Sequence, residues 1–161
     1  MVYQDITGYA YYEKEDAQYV ASDNKYFDFT YLTDGITDGI NATKYYGYEI
    51  SLKPEYRATL AGKITLPDEY KGQKIISVGK FVSSTAPILI TDIFFLNKAN
   101  SSYIRINDSA FECIEDVVSN QNKLKNIYLP ASIRYIGHSA FYKQLALFTI
   151  DLNDNIVFIG N

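Results

Sequence analysis

The stretch Leu124-Lys-Asn-Ile127-Tyr-Leu129-Pro-Ala-Ser-Ile133-Arg-Tyr-Ile136-Gly137 lies over Leu147-Phe-Thr-Ile150-Asp-Leu152-Asn-Asp-Asn-Ile156-Val-Phe-Ile159-Gly160 without a gap. Six positions keep their type at a shift of 23 residues: Leu, Ile, Leu, Ile, Ile and Gly. A fixed period of this length marks a chain built from repeated supersecondary units. Upstream the grammar returns with insertions. Ile106-Asn-Asp-Ser-Ala110-Phe111 matches Ile136-Gly-His-Ser-Ala140-Phe141 at a spacing of 30, and Ile90-Thr-Asp-Ile93-Phe-Phe95 reads as the strand ahead of it. Ile64-Thr-Leu66-Pro67 and Ile76-Ser-Val78-Gly79-Lys-Phe81 repeat the elements once more, around a loop expected at 68–74. Four units are expected, starting near residues 62, 88, 122 and 145, the first two irregular and the fourth cut short.

Within a unit, Ile127 and Leu129 alternate with Tyr128, the period-2 pattern of a strand with one buried face. Pro130 has no N–H to give to a ladder and should end that strand. Ile133 and Ile136 direct a second short extended segment inward, and Gly137 is expected to permit a turn that a Cβ would obstruct. Ala140-Phe141 adds a small and a large apolar group. One such unit cannot close a core alone. Stacking would bury Ile on Ile and Phe on Phe along an axis.

The pattern Leu-x-x-Ile-x-Leu-Pro-x-x-Ile-x-x-Ile-Gly-x-x-Ala-Phe resembles the BspA-type (Treponema-type) leucine-rich repeat of bacterial surface proteins. The best matching stretch is residues 122–160, with weaker coverage back to about residue 62. The resemblance implies a mainly β, right-handed leucine-rich-repeat solenoid of about four irregular units of roughly 23 residues. It also implies a cell-surface or secreted setting, and partners such as matrix proteins, other bacterial surfaces or glycans.

Residues 1–60 differ in flavour, holding eleven of the 16 tyrosines. Tyr26–Leu32 and Tyr46–Leu52 read as strands, and the Asp34-Gly35 and Asp38-Gly39 pairs are turn signals. A solenoid needs an end cover with a polar outer face. The expected organisation is therefore an N-terminal extension and strand-rich cap over 1–60, then repeats over 61–161. Glu13-Lys-Glu-Asp16-Ala-Gln is expected to begin a short helix. The last unit halts before its Ala-Phe pair, so the sequence is expected to be either a piece of a longer array or a small protein whose open last coil invites a partner or another copy.

Composition excludes many chemistries. The chain of 161 residues is 47% hydrophobic and 21% charged, which suits a globular core. A net charge of -4 argues against non-specific nucleic-acid binding, which needs a cationic footprint. A single Cys excludes an internal disulfide or a multi-cysteine zinc site, and a single His excludes paired-His metal motifs. No stretch is apolar for the roughly 20 residues that span a bilayer. Met1-Val-Tyr-Gln-Asp5 lacks the basic and apolar regions of a secretory signal.

His138 is read as a solvated turn residue, having no orienting carboxylate or nucleophile assigned to it. Cys113, near Glu112 and Glu115, is read as a small packed group with a thiol unsuited to reaction. Asp34, Asp38 and the Glu13, Glu15, Asp16 patch fail the spacing of a calcium loop, and Asn153-Asp154-Asn155 is read as a polar turn. The glycosylation-like triplets at Asn41, Asn100 and Asn107 are read as chance. No phosphate-cradling Gly motif or Ser elbow occurs, so no catalytic residue, metal or cofactor is expected.

The remaining candidate surface is the strand face. If Ile64, Ile93, Ile127 and Ile150 point inward, Thr65, Phe94, Tyr128 and Asp151 point outward as a ladder, beside Lys63, Asp92, Asn126 and Thr149. Phe94 next to Tyr128 is the expected aromatic anchor. The expected function is non-catalytic recognition or adhesion toward a protein or glycan. The alternative is an assembly role, as in a phage virion or surface array.

Overall fold

Two ladders of parallel strands carry the repeat. A computed structural model describes residues 20–113 and 120–161. Their strands are β1 Phe27–Tyr31, β2 Tyr48–Leu52, β3 Ala61–Leu66, β4 Glu69–Tyr70, β5 Gln73–Val78, β6 Leu89–Phe95, β7 Arg105–Ile106, β8 Asn126–Ile127, β9 Tyr135–Ile136, β10 Thr149–Ile150 and β11 Phe158–Ile159. Single 3-10 turns occur at Asn24–Tyr26, Pro54–Tyr56 and Lys98–Asn100. The chain is mainly β. Among the described residues no helix is long and apolar enough to cross a membrane. The helix expected from Glu13 lies outside the described residues.

One sheet has four strands in the order β10-β8-β6-β3, all parallel. The other has seven, in the order β1-β2-β5-β7-β9-β11 with β4 also on β5, and is mixed because β1–β2 and β4–β5 are antiparallel. Each of the four sequence units gives one strand to each sheet: β3 and β5, β6 and β7, β8 and β9, β10 and β11. In the four-stranded sheet Ile64 faces Ile93, Ile93 faces Ile127, and Ile127 faces Ile150. In the seven-stranded sheet Ile50, Val78, Ile106, Ile136 and Ile159 follow one another. The 23-residue shift therefore appears as strand register in both sheets at once.

Parallel pairing lets identical side chains sit side by side, and one buried cluster joins the inward residues of both sheets. Phe81, Phe111 and Phe141 continue the register beyond the strands. The Phe81–Phe111 ring centroids are 5.3 Å apart, and Phe111 and Phe141 stack at 5.4 Å with planes 9° apart. Such pairs add stabilisation beyond their area. Unit three is covered on both sides, so Leu124, Ile127, Leu129 and Ile133 are all buried. Leu152, the counterpart of Leu129, is 52% exposed because no described residue lies beyond it.

One local expectation is corrected and another gains its physical cause. The loop at 68–74 contains a hairpin, with Glu69 facing Lys74 and Tyr70 facing Gln73. Gly137 heads the expected turn, closed by the Ala140 N–H on its carbonyl at 3.3 Å, and the expected obstruction comes from proximity to the preceding unit. Its φ is not positive, and a Cβ there would run into the backbone of Asn107 and Asp108 in the preceding unit.

The segment between β1 and β2 folds over the seven-stranded sheet. Ile36 and Tyr45 form an antiparallel bridge, and Ile36 packs with Ile76 and Ile104 in a second small cluster. Gly39 has φ +87 and lies against the Tyr135 ring, where a Cβ would approach to 2.7 Å. Asp38 is 1% exposed and anchors this segment. Its carboxylate accepts from the Asn41 N–H (2.7 Å), the Asn41 side-chain amide (2.7 Å), the Ile40 N–H (3.0 Å) and the Arg134 Nε–H (2.9 Å). These donors, led by the Asn41 backbone, hold the carboxyl well below the ordinary carboxylate range against the opposing effect of burial. A depressed folded pKa means that this contribution is present above the unfolded value of about 4 and is lost as pH falls below it. The Ile40 and Asn41 amide shifts should therefore titrate far below pH ~4, and Asp38→Asn should abolish that titration. A midpoint near the ordinary carboxylate value would contradict the anchor.

Candidate functional site

Strand alternation places two columns on the side of the four-stranded sheet opposite Ile64, Ile93, Ile127 and Ile150. Lys63, Asp92, Asn126 and Thr149 are paired across β3, β6, β8 and β10. Thr65 and Phe94 are paired in the next column. The offset continues past the strand ends, where the Tyr128 N–H donates to the Ile93 carbonyl (3.0 Å) and the Asp151 N–H to the Ile127 carbonyl (3.2 Å). The sequence-derived site residues thus fall in two adjacent columns.

Their side chains interact along the columns. Asn126 Nδ2 donates to Asp92 Oδ1 at 2.7 Å, and Thr91 Oγ1 donates to the other Asp92 oxygen at 2.7 Å. The Phe94 and Tyr128 rings stack at 4.8 Å, 9° from parallel. Lys98, from the turn after β6, pairs with Asp151, and both side chains remain about half exposed. Burial, and secondarily the Asp92 carboxylate, raise the Tyr128 hydroxyl pKa, with Lys98 opposing. The face therefore holds an aromatic ring, a carboxylate–amide pair and an ion pair side by side.

The expectation that Thr65 and Phe94 lie open is corrected. They are 2% and 4% exposed. Ser22 covers the free side of β3: its N–H donates to the Thr65 carbonyl and its Oγ accepts from the Thr65 N–H, both at 2.9 Å. Phe94 has the Tyr128 ring flat against it. Neither is an accessible contact residue. Asp92, Asn126, Tyr128 and Thr149 are half-buried, and Asp151 is exposed. Lys98 joins this group although its sequence position gives no repeat signal for it.

The other candidates have structural employment. His138 donates its N–H to Asp108 Oδ1 (2.8 Å), and its Nδ1 accepts from the Asn161 N–H (3.2 Å). Cys113 is buried, with its N–H donated to the Tyr142 carbonyl. Asp38 is the anchor described above, and the Asp34 carbonyl accepts from Lys44 Nζ. Asn153 and Asn155 bridge to the preceding unit, donating to the Pro130 and Ala131 carbonyls. No group of three or more His, Cys, Asp or Glu among the described residues could hold a metal ion. Glu13, Glu15, Asp16 and Glu115 lie outside the described residues.

Comparison of the chain with protein-family models, with curated proteins and with solved structures found no match.

Proposed function

We propose that the chain is a BspA-like leucine-rich-repeat solenoid with a cap formed from residues within 1–60 and about four units in 61–161. On this reading it is a non-catalytic recognition or adhesion module, and the outer face of β3, β6, β8 and β10 is its binding surface. The observation that carries the reading is the repeat register, which lines up equivalent outward positions of successive units into columns. Columns fixed by backbone pairing form a preorganised surface, so little conformational freedom is lost on binding. Open aromatic, amide and carboxylate groups suit a protein or glycan partner, because they combine apolar contact with directional hydrogen bonds. The accessible contact residues are Asp92, Asn126, Tyr128, Thr149 and Asp151.

Screening the protein against immobilised glycans and extracellular-matrix proteins tests this. At least one defined ligand should bind, and Tyr128→Ser combined with Asp151→Lys should weaken it by at least tenfold with an unchanged circular dichroism spectrum. Tyr31→Ser, on β1 away from the face, should leave affinity unchanged. Equal affinity of the face variant and the wild type would remove the site.

An assembly role is the second reading, favoured by the exposed Leu145, Phe148, Leu152 and Ile159. Light scattering decides it: a stable closed oligomer or filament supports assembly, and a monomer at tens of micromolar rejects it.

A further inference from the structure

We propose that the open edge of β1 pairs with the β1 edge of a second copy of the chain, giving a two-fold dimer in which the two seven-stranded sheets join. β1 ends that sheet on the side opposite β11, so the pairing stands apart from the last unit and from the face of the four-stranded sheet.

Register fixes which backbone groups of β1 remain. The Leu32 N–H donates to the Gly47 carbonyl at 2.8 Å and the Lys53 N–H to the Tyr26 carbonyl at 2.9 Å, one at each end of the β1–β2 ladder. Alternation then turns the backbone groups of Asp28 and Thr30 toward β2, and those of Phe27, Phe29 and Tyr31 away from it. The Phe27 N–H is taken by the Asn24 carbonyl. The outward N–H and C=O groups of Phe29 and Tyr31 meet no described residue. The edge of the other sheet is treated differently, because Ser22 takes both backbone groups of Thr65 on β3. β1 also lacks the devices that blunt an exposed edge: it holds no Lys or Pro, and it pairs with β2 without a bulge.

The symmetry of what remains specifies the occupant. Two residues facing each other in a hydrogen-bonded antiparallel pair exchange both of their bonds. Setting Phe29 against Tyr31 of the partner subunit, and Tyr31 against Phe29 of the partner subunit, satisfies all four outward groups of each copy. The same patch then serves both copies, as a two-fold contact requires. The exposed Thr30 meets Thr30 of the partner subunit at the axis. Phe29 and Tyr31 form two aromatic cross-strand pairs, extending a cluster in which Phe29 stacks on Tyr70 at 3.9 Å and Tyr31 meets Tyr48 edge-on at 5.2 Å. Neighbouring registers are worse. Centring on Asp28 would oppose two carboxylates, and centring on Phe29 would aim the Tyr31 carbonyl at the Phe27 N–H, which Asn24 already occupies.

Sedimentation equilibrium and ¹⁵N spectra test the pairing. The wild type should dimerise reversibly, with the Phe29 and Tyr31 amide signals moving as its concentration rises. Thr30→Asp and Thr30→Lys each place like charges at the two-fold axis and should weaken the dimer at least tenfold, with unchanged circular dichroism spectra. An equimolar mixture of the two should form a one-to-one heterodimer. Tyr31→Pro removes an outward N–H, leaves the β1–β2 ladder whole, and should abolish the dimer. Leu152→Lys, at the far end of the molecule, should leave the dimer intact, which separates it from assembly through that end. A wild type that stays monomeric at millimolar concentration would overturn the proposal. So would charge variants that dimerise as the wild type does, a mixture that stays monomeric, or a dimer lost on Leu152→Lys.

Discussion

Phe111→Ala should lower the free energy of unfolding by about 3–5 kcal/mol, the usual cost of removing a buried aromatic side chain. Phe111 is 1% exposed and has a ring on each side, Phe81 and Phe141. The cavity cannot collapse readily, because both neighbours are held by the backbone ladder. Domains of this size are stable by roughly 5–15 kcal/mol, so the loss is a large fraction of the total. Phe141→Ala provides the contrast. Its ring is packed on one side and only partly buried, so a cost of about 1–2 kcal/mol is expected. Urea unfolding of both variants measures the difference. Equal losses would mean that Phe111 is not enclosed between its counterparts.

Gly137→Ala is expected to cost about 3 kcal/mol, at the upper end for forcing an extra group into a packed interior. The added Cβ would meet the Asn107–Asp108 backbone, which cannot rotate away as a flexible side chain could. Relief would require β9 to move off β7 and would strain both the Arg105–Tyr135 and Ile106–Ile136 pairings. Gly72→Ala is the control. Its φ of +75 disfavours a side chain, but nothing lies within 4 Å, so about 1 kcal/mol is expected from the backbone alone. Thermal unfolding should rank Gly137→Ala below Gly72→Ala. The reverse order would remove the close approach of successive units.

The repeat was legible in sequence because register demands it. A column of buried Ile works only if each unit returns its Ile to the same place, so Ile127 and Ile150 had to recur at a fixed shift. Strands at β1 and β2 were likewise readable from alternation, since each has one face against the core. Burial on the outer face was not legible. Nothing in a period-2 pattern tells an outward residue that a distant segment covers it, as Ser22 does at Thr65 across 43 residues. The Asp38–Arg134 contact, spanning 96 residues, was hidden for the same reason. Asp38-Gly39 announces a turn, and only the fold reveals where that turn lands. Gly137 shows a subtler limit: its place in the repeat marked it as needed, while the reason lies in the neighbouring unit.

The proposed binding face keeps its form under this correction. With Phe94 buried, its part becomes support for Tyr128, whose ring it holds in place. Phe94→Ala should therefore weaken face binding indirectly while also lowering stability by about 3 kcal/mol or more.

Cross-strand nuclear Overhauser contacts in the uniformly labelled protein most directly test whether residues 23 apart lie beside one another. Contacts between the side chains of Ile127 and Ile150, and of Ile136 and Ile159, are expected together with those of Ile93 with Ile127 and Ile106 with Ile136. Absence of the Ile127–Ile150 and Ile136–Ile159 contacts in a folded sample, or their replacement by pairings at another register, would contradict the repeat architecture and every inference drawn from it.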